Sequence, residues 1–276
     1  MSPIPYPPTG TDPAIELRDL SLAFDSKRVL TNISFVLGAG ETLVLLGETG
    51  AGKSVLLKVL VGLLKPDSGQ VLIEGQDTVP LAEADMHSIR QGMGIVFQEG
   101  ALFDSLSVFE NVAYRLREEH TLDEGAIAQR VREVLHFVEM DSAIEKMPDE
   151  LSGGMRRRVA IARTIISSPR IMLYDSPTGG LDPVTSHTID VLIGKLRDVE
   201  HVTSVVVTHR LQDAYVLVKD VFSPDRQTLV PLATQPPTGT HPSTRFLVLR
   251  KGEVYFLGGE QEFTHSPDPY LRRFMA

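Results

Sequence analysis

The sequence predicts an α/β fold in which a P-loop core is joined by an antiparallel β-subdomain and an inserted helical subdomain. Three observations predict it. The stretch Gly47-Glu48-Thr49-Gly50-Ala51-Gly52-Lys53-Ser54 has the P-loop spacing G-x-x-x-x-G-K-S and lies between two apolar runs, 42–46 and 55–61. Short unbroken apolar runs recur at 93–97, 171–174 and 205–207, as expected of parallel strands buried on both faces. From about residue 100 to 166 the texture changes to helical spacing and capping patterns.

Composition bounds the function. A chain of 276 residues that is 42% hydrophobic can bury a substantial core. It has no cysteine, which excludes disulfides and thiol chemistry, and a net charge of −9, which argues against nucleic acid as a partner. No apolar run approaches the roughly 20 residues of a spanning helix. The proline-rich start, residues 1–14, lacks a signal-peptide pattern and reads as a disordered lead-in to one domain over 15–276.

The β-subdomain comes first. Residues 15–20 alternate apolar and polar, and 21–24 and 30–37 continue the pattern, so antiparallel strands precede the P-loop strand. Phe24, beside a polar turn, could stack on a purine, but the plainer reading as a hairpin core residue is favoured by the residues alone. The P-loop strand, 42–46, then feeds a glycine turn and the start of a helix. That arrangement aims backbone N–H groups and a helix dipole at one point, where a polyphosphate binds. Lys53 reaches the outer phosphates and the Ser54 hydroxyl is placed for Mg²⁺.

Gln98 ends the strand at 93–97, on the sheet edge where α/β folds bind ligands, and could ligate Mg²⁺ or orient water; the alternative is a bond to its own loop. In the helical segment, Ser107–Glu110 and Thr121–Glu124 fit capping boxes, and Ile127, Val131, Val134, Leu135 and Val138 form an apolar stripe. Leu151-Ser152-Gly153-Gly154-Met155 opens another helix with a second anion-binding surface, although alone it is no more than a serine N-cap. The arginines that follow, 156–158, read as mostly solvated or ion-paired, not as a nucleic-acid patch. Asp175 ends a buried strand after four apolar residues, the Walker B pattern, and would hold Mg²⁺ through water. Asp182-Pro183 starts a helix. His209 follows the strand at 204–208 and is a candidate γ-phosphate sensor. Residues 223–244 are rich in Pro, Thr and Ser and read as a long loop insertion; a hairpin turning at Lys251-Gly252 follows.

Taken together these residues resemble the nucleotide-binding subunit of an ABC transporter, over nearly the whole chain from about Ile15. The ordered set is the P-loop, a Q-loop at Gln98, the signature 151–155, Walker B Asp175, a D-loop at Leu181-Asp182 and a switch histidine at His209. The resemblance implies a P-loop NTPase with a RecA-like core, ATP with Mg²⁺ as cofactors, and a head-to-tail homodimer sandwiching two ATP molecules. Phe24 would stack on adenine, and Ser152, Gly153 and Gly154 would contact the γ-phosphate held by the partner copy. Mg²⁺ would be met by Ser54, Gln98 and Asp175, with His209 and Gln98 in catalytic positions. A narrower resemblance, to the ATPase of Mla-type phospholipid transporters, rests on 96–103, 108–113, Met155 in the signature and 268–274. It implies a transmembrane permease met by residues 98–103, a periplasmic lipid-binding protein, and a cytoplasmic location on the inner face of the membrane.

One position departs from the family. Ser176 stands after Asp175 where the family places the glutamate that activates water, and a serine is no general base at neutral pH. Such a base contributes about 10²–10⁴-fold. The sequence therefore leaves three accounts open: a working transporter ATPase, a binding switch with little hydrolysis, or a cassette with no membrane partner. The last is the least favoured, because such proteins carry two cassettes in one chain and this one shows a single cassette.

Overall fold

The structure is a computed structural model that describes residues 13–25, 27–232 and 243–275. The lead-in expected over 1–14 falls almost wholly outside these residues.

Two sheets organise the chain. Strands β1 (Ile15–Phe24), β2 (Lys27–Leu37), β4 (Ser68–Ile73) and β5 (Gln76–Asp77) form an antiparallel sheet in the order β2-β1-β4-β5. The core sheet contains β3 (Thr42–Gly47), β6 (Met93–Val96), β7 (Ile171–Asp175), β8 (Thr203–Val207), β11 (Thr244–Arg250) and β12 (Glu253–Gly259), in the order β12-β11-β3-β8-β7-β6. All its neighbours are parallel except β11 and β12. Every residue of β3 and β8 is buried, which is why those runs carry no polar alternation. The C-terminal hairpin is thus part of the core, with β11 lying parallel to the P-loop strand, Leu247 opposite Leu45.

Helices cover both faces. α1 (Lys53–Leu60) packs under the antiparallel sheet, sharing a core with Leu17, Leu30 and Phe35. α2 (Glu83–Gln91) leads into β6. α3 (Val108–Glu119), α4 (Glu124–Phe137) and α5 (Gly153–Ile165) form the helical lobe around Val112, Val131, Val134 and Val159. α6 (Pro183–Glu200), α7 (Leu211–Lys219), α8 (Glu260–Thr264) and α9 (Pro269–Arg272) complete the set. The Ser107–Glu110 capping box forms as read. The second box does not: Asp123, not Thr121, caps α4, its carboxylate accepting from the Ala126 N–H at 2.8 Å.

The loop insertion expected over 223–244 is corrected at its start. β9 (Asp220–Ser223) and β10 (Thr228–Pro231) form an antiparallel hairpin. Phe222, Leu229 and Val230 are buried. Leu229 fills the space left by Gly194 on α6, where a Cβ would lie 2.6 Å from its Cδ2. Asp198 anchors the first strand by accepting from the Phe222 N–H at 2.8 Å. Three apolar side chains and a helical notch outweigh the polar composition. Residues 233–242 lie outside the described chain.

Candidate functional site

The carboxyl ends of β3, β6, β7 and β8 open on one cleft of about 1090 Å³. Its floor is the turn from β3 into α1. Gly47 and Gly52 hold φ values of 153° and 102°, and neither position has room for a side chain. A Cβ at Gly47 would lie 2.6 Å from the Leu249 carbonyl oxygen, and one at Gly52 would lie 2.8 Å from Leu30 Cδ2. α1 starts directly after this turn with no side-chain cap and no acidic residue in its first turn. Its first N–H groups therefore have no competing internal acceptor, which suits an anion. Lys53 Nζ donates to the carbonyl oxygens of Gly47 (2.7 Å) and Glu48 (3.0 Å), held over the loop it would serve. Burial lowers the Lys53 pKa, and the Asp175 carboxylate opposes that shift.

Of the residues singled out in the sequence, Phe24, Thr49, Gly50, Gly52, Lys53, Ser54, Gln98, Asp175, Ser176 and His209 line this one cleft. The fold gathers them from five separate segments. Gly47, Glu48 and Ala51 belong to the turn but do not line the cleft; Ala51 is buried, and Glu48 faces Arg273 at 3.5 Å. Phe24 is 46% exposed, so it is not the hairpin core residue that the residues alone favoured. It stands at the rim, an apolar face free to stack. Lys27, Arg28 and Lys251 line the cleft as well and were not singled out; they are isolated cations in strand and turn positions that only the folded chain brings together. Gly252, beside Lys251, docks this turn on β2, its carbonyl accepting from the Thr31 N–H at 2.8 Å.

The donor set suits Mg²⁺. Ser54, Gln98 and Asp175 offer a hydroxyl, an amide oxygen and a carboxylate, all hard oxygen donors, and no group of three or more His, Cys, Asp or Glu side chains forms a metal cage among the described residues. A single carboxylate with substrate phosphates is the usual way proteins hold Mg²⁺.

Ser176 is 9% exposed, holds φ 50°, and donates its backbone N–H to Val207 O at 2.9 Å. Its side chain and the Gln98 amide converge on Gly179, where a Cβ would meet Ser176 Cβ at 3.4 Å and Gln98 Nε2 at 3.5 Å. The residue that follows Asp175 here is a serine, not a carboxylate.

The signature lies elsewhere. Ser152 caps α5, its hydroxyl accepting from the Met155 N–H at 3.3 Å. Neither it nor Gly153 nor Gly154 lines the P-loop cleft; Gly153 lines a second cleft of about 860 Å³ with Glu99, Arg156 and Arg157. The chain therefore does not bring its own signature to its own P-loop. The expectation that the three arginines are mostly solvated or ion-paired fails at Arg157, which is buried, while Arg156 and Arg158 stay half-exposed. Arg156 donates to Leu151 O (2.8 Å), Arg158 to Glu139 O (3.1 Å), and buried Arg157 to Pro177 O and Gly179 O (3.1 Å each). Five N–H donors in a fixed fork suit pairs of loop carbonyls.

A family model described as ABC transporter matches residues 30–179. The "Probable ribonucleotide transport ATP-binding protein" of Mycobacterium leprae is 40% identical over 95% of this chain, which spans 68% of that relative's length. The "Intermembrane phospholipid transport system ATP-binding protein MlaF" of Haemophilus influenzae is 34% identical over 94% of this chain and 97% of its own. Among solved structures, a dimeric ATP-binding cassette in a post-hydrolysis state bound to ADP and Pi superposes with a TM-score of 0.74. It is 28% identical over 89% of this chain and 98% of the other.

Proposed function

From the premise that the chain belongs to the ABC transporter family, we propose that it is the ATP-binding subunit powering a phospholipid transporter of the Mla type. It is an ABC-type ATPase whose rate is set by Ser176. The observation that carries the reading is the convergence of P-loop, Gln98, Asp175, Ser176 and His209 on one cleft.

In this reading the turn 47–54 and Lys53 hold the triphosphate and Phe24 stacks on the adenine. Bound Mg²⁺, met by Ser54, Gln98 and Asp175, supplies charge neutralisation on the phosphates. Lys53 exchanges its two loop carbonyls for phosphate oxygens. His209 and Gln98 face the γ-phosphate end and orient water there. Two copies close head to tail, so that Ser152, Gly153 and Gly154 of each complete the other's site. A dimeric structural neighbour and the absence of the signature from the chain's own cleft support that arrangement. No helix among the described residues is long and apolar enough to cross a membrane. The permease, met at residues 98–103, and a periplasmic lipid-binding protein would be separate chains, with this subunit on the cytoplasmic face. The phospholipid cargo draws on the resemblance of 96–103, 108–113 and 268–274 and on the printed name of the near full-length Haemophilus relative.

Ser176 favours a second reading in which ATP closes the dimer and hydrolysis is negligible. Steady-state ATPase with the co-purified permease decides between them. Turnover above that of Lys53→Ala supports the enzyme. Equality with Lys53→Ala, with ATP-dependent dimerisation intact, supports the switch. Phospholipid in the purified complex supports the cargo, and a bound sugar or metal would overturn it.

A further inference from the structure

Three cations line the nucleotide cleft without a part in the mechanism above: Lys27, Arg28 and Lys251. The first two open β2, where Lys27 pairs with Phe24 at the rim. Lys251 comes from far along the chain, in the two-residue turn between β11 and β12. It falls in none of the motifs that the sequence displays.

That turn is fixed on every side. Leu249, two residues before Lys251, pairs with Gly47 of the P-loop strand. Gly252 accepts from the Thr31 N–H of β2 at 2.8 Å, and a Cβ on it would collide with the Val29 carbonyl oxygen. The same carbonyl oxygen would lie 3.0 Å from a Cβ at Gly52, where the P-loop enters α1. Gly52 and Gly252 thus meet β2 at one point, and Lys251 is the next residue. Before it, the Arg250 guanidinium carbon lies 4.3 Å from the Tyr270 ring centroid and 5.0 Å from that of Tyr255. Tyr255 donates its hydroxyl at 2.7 Å to Asp268, the cap of α9, so the C-terminal segment braces the turn.

Lys251 is an unusual choice for its place. It holds φ 52° and Gly252 holds φ 82°, the two left-handed residues of a tight hairpin turn, where asparagine before glycine is favoured. A lysine there carries a conformational cost. Its side chain is exposed, with no hydrogen bond or ion pair among the described residues to offset that cost. Val29 is two residues from Lys27, about 7 Å along a strand. Lys251 therefore stands between the glycine turn, which takes the outer phosphates, and the Phe24 ring, which takes the base.

We propose that Lys251 is a nucleotide-binding residue, delivered by the C-terminal hairpin, whose ammonium meets the α-phosphate. The proposal rests on the nucleotide-binding reading. Lys53 holds the outer phosphates and Lys251 the innermost one, so the two lysines grip the polyphosphate at opposite ends. Because ATP and ADP share the α-phosphate, Lys251 strengthens both alike.

Calorimetric titration of the full chain with MgATP, MgADP and inorganic tripolyphosphate tests it. Lys251→Asn removes the charge while suiting the left-handed backbone. It is expected to weaken all three probes alike, about three- to fivefold at low salt, the scale of an exposed charge pair. Near 1 M salt the difference is expected to vanish, and Lys251→Arg is expected to bind as the unsubstituted chain does. Unchanged affinities in Lys251→Asn overturn the proposal. So does a loss confined to MgATP, which would place the lysine at the γ-phosphate. A loss that spares tripolyphosphate would place it at the ribose or base, and one that persists at high salt or in Lys251→Arg would make its role structural; either overturns the proposal too. An unsubstituted chain that binds neither nucleotide marks instead the failure of the nucleotide-binding reading, and the role of Lys251 falls with it.

Discussion

The two ends of the nucleotide cleft are built by different means. The P-loop end is backbone: glycines with no room for a Cβ, a helix start without a cap, and one lysine bonded to carbonyls of its own loop. The His209 end is side chain: Asp190, Asp213, Arg210, Thr178, Thr208 and Ser186 crowd behind the loops that carry Ser176 and His209, five of the six buried. Backbone geometry is indifferent to pH, and it is lost only where a side chain is forced onto Gly47 or Gly52. A polar network of this kind is tunable and costly to keep. On the proposed reading the holding end keeps the P-loop pattern while Ser176 takes the place of the expected base, so the contrast locates where turnover could change without loss of nucleotide.

The largest expected effect lies at the chemistry end. Ser176→Glu restores a carboxylate where the general base belongs and is expected to raise ATP turnover about 10²–10⁴-fold, with ATP affinity little changed. Single-turnover hydrolysis measures it; an unchanged rate would show that another group already activates water. Next comes the buried carboxylate pair. Asp190 is 3% exposed and faces Asp213 across the network, with Arg210 the opposing charge. Burial, then the Asp213 charge, pushes its pKa up to about 8. An acid whose folded pKa is raised keeps its proton in the fold while the unfolded chain loses it, so this group costs stability from about pH 4 up to about 8 and no more beyond that. Asp190→Asn, which mimics the protonated form, is therefore expected to leave stability unchanged near pH 4 and to raise it at pH 8, by about 2–4 kcal/mol. Denaturant melts at the two pH values check this, and a gain that does not grow with pH refutes it.

The same contrast explains what could be read from sequence. A P-loop is a local pattern, and so are β3, β8 and the Asp182-Pro183 helix start, because their spacing or burial period is written in adjacent residues. The carboxyl-end placement of Gln98, Asp175 and His209 was legible for the same reason. The network behind them was not. Arg157 bonds carbonyls 20 and 22 residues away, and a carbonyl has no sequence signature, so a run of three arginines in an acidic chain reads as surface. Asp190 sits one residue before the apolar Val191 and Leu192 on α6, where periodicity alone cannot say that it faces inward. The β9–β10 hairpin has no local signal because its anchoring notch, Gly194, belongs to a helix and lies 35 residues before Leu229. Phe24 was misjudged from its residues alone, since hairpin alternation predicts burial and only the cleft explains its exposure.

At the holding end the expected effects are smaller and fall on binding. Lys53→Ala removes a charge that would meet phosphate oxygens, a loss of about 1.5–3 kcal/mol, or about 10–150-fold in ATP Kd. Titration with a fluorescent ATP analogue reads it, and a loss below twofold would mean that the glycine turn alone suffices. Phe24→Ala is milder. Stacking on a base is worth about 1–3 kcal/mol, and a ring that remains 46% exposed belongs at the lower limit, so ATP is expected to bind about fivefold more weakly. Phe24→Tyr keeps the face and should bind as the unsubstituted chain does. Inorganic tripolyphosphate separates base from phosphate: it should compete equally well with ATP-site probes in the unsubstituted chain and in Phe24→Ala, because nothing at the rim contributes to phosphate capture through that ring. Weaker tripolyphosphate binding in Phe24→Ala would mean that the ring shapes the turn between β1 and β2, and with it the cations Lys27 and Arg28, and the separation of the cleft into an aromatic rim and a backbone floor would have to be abandoned.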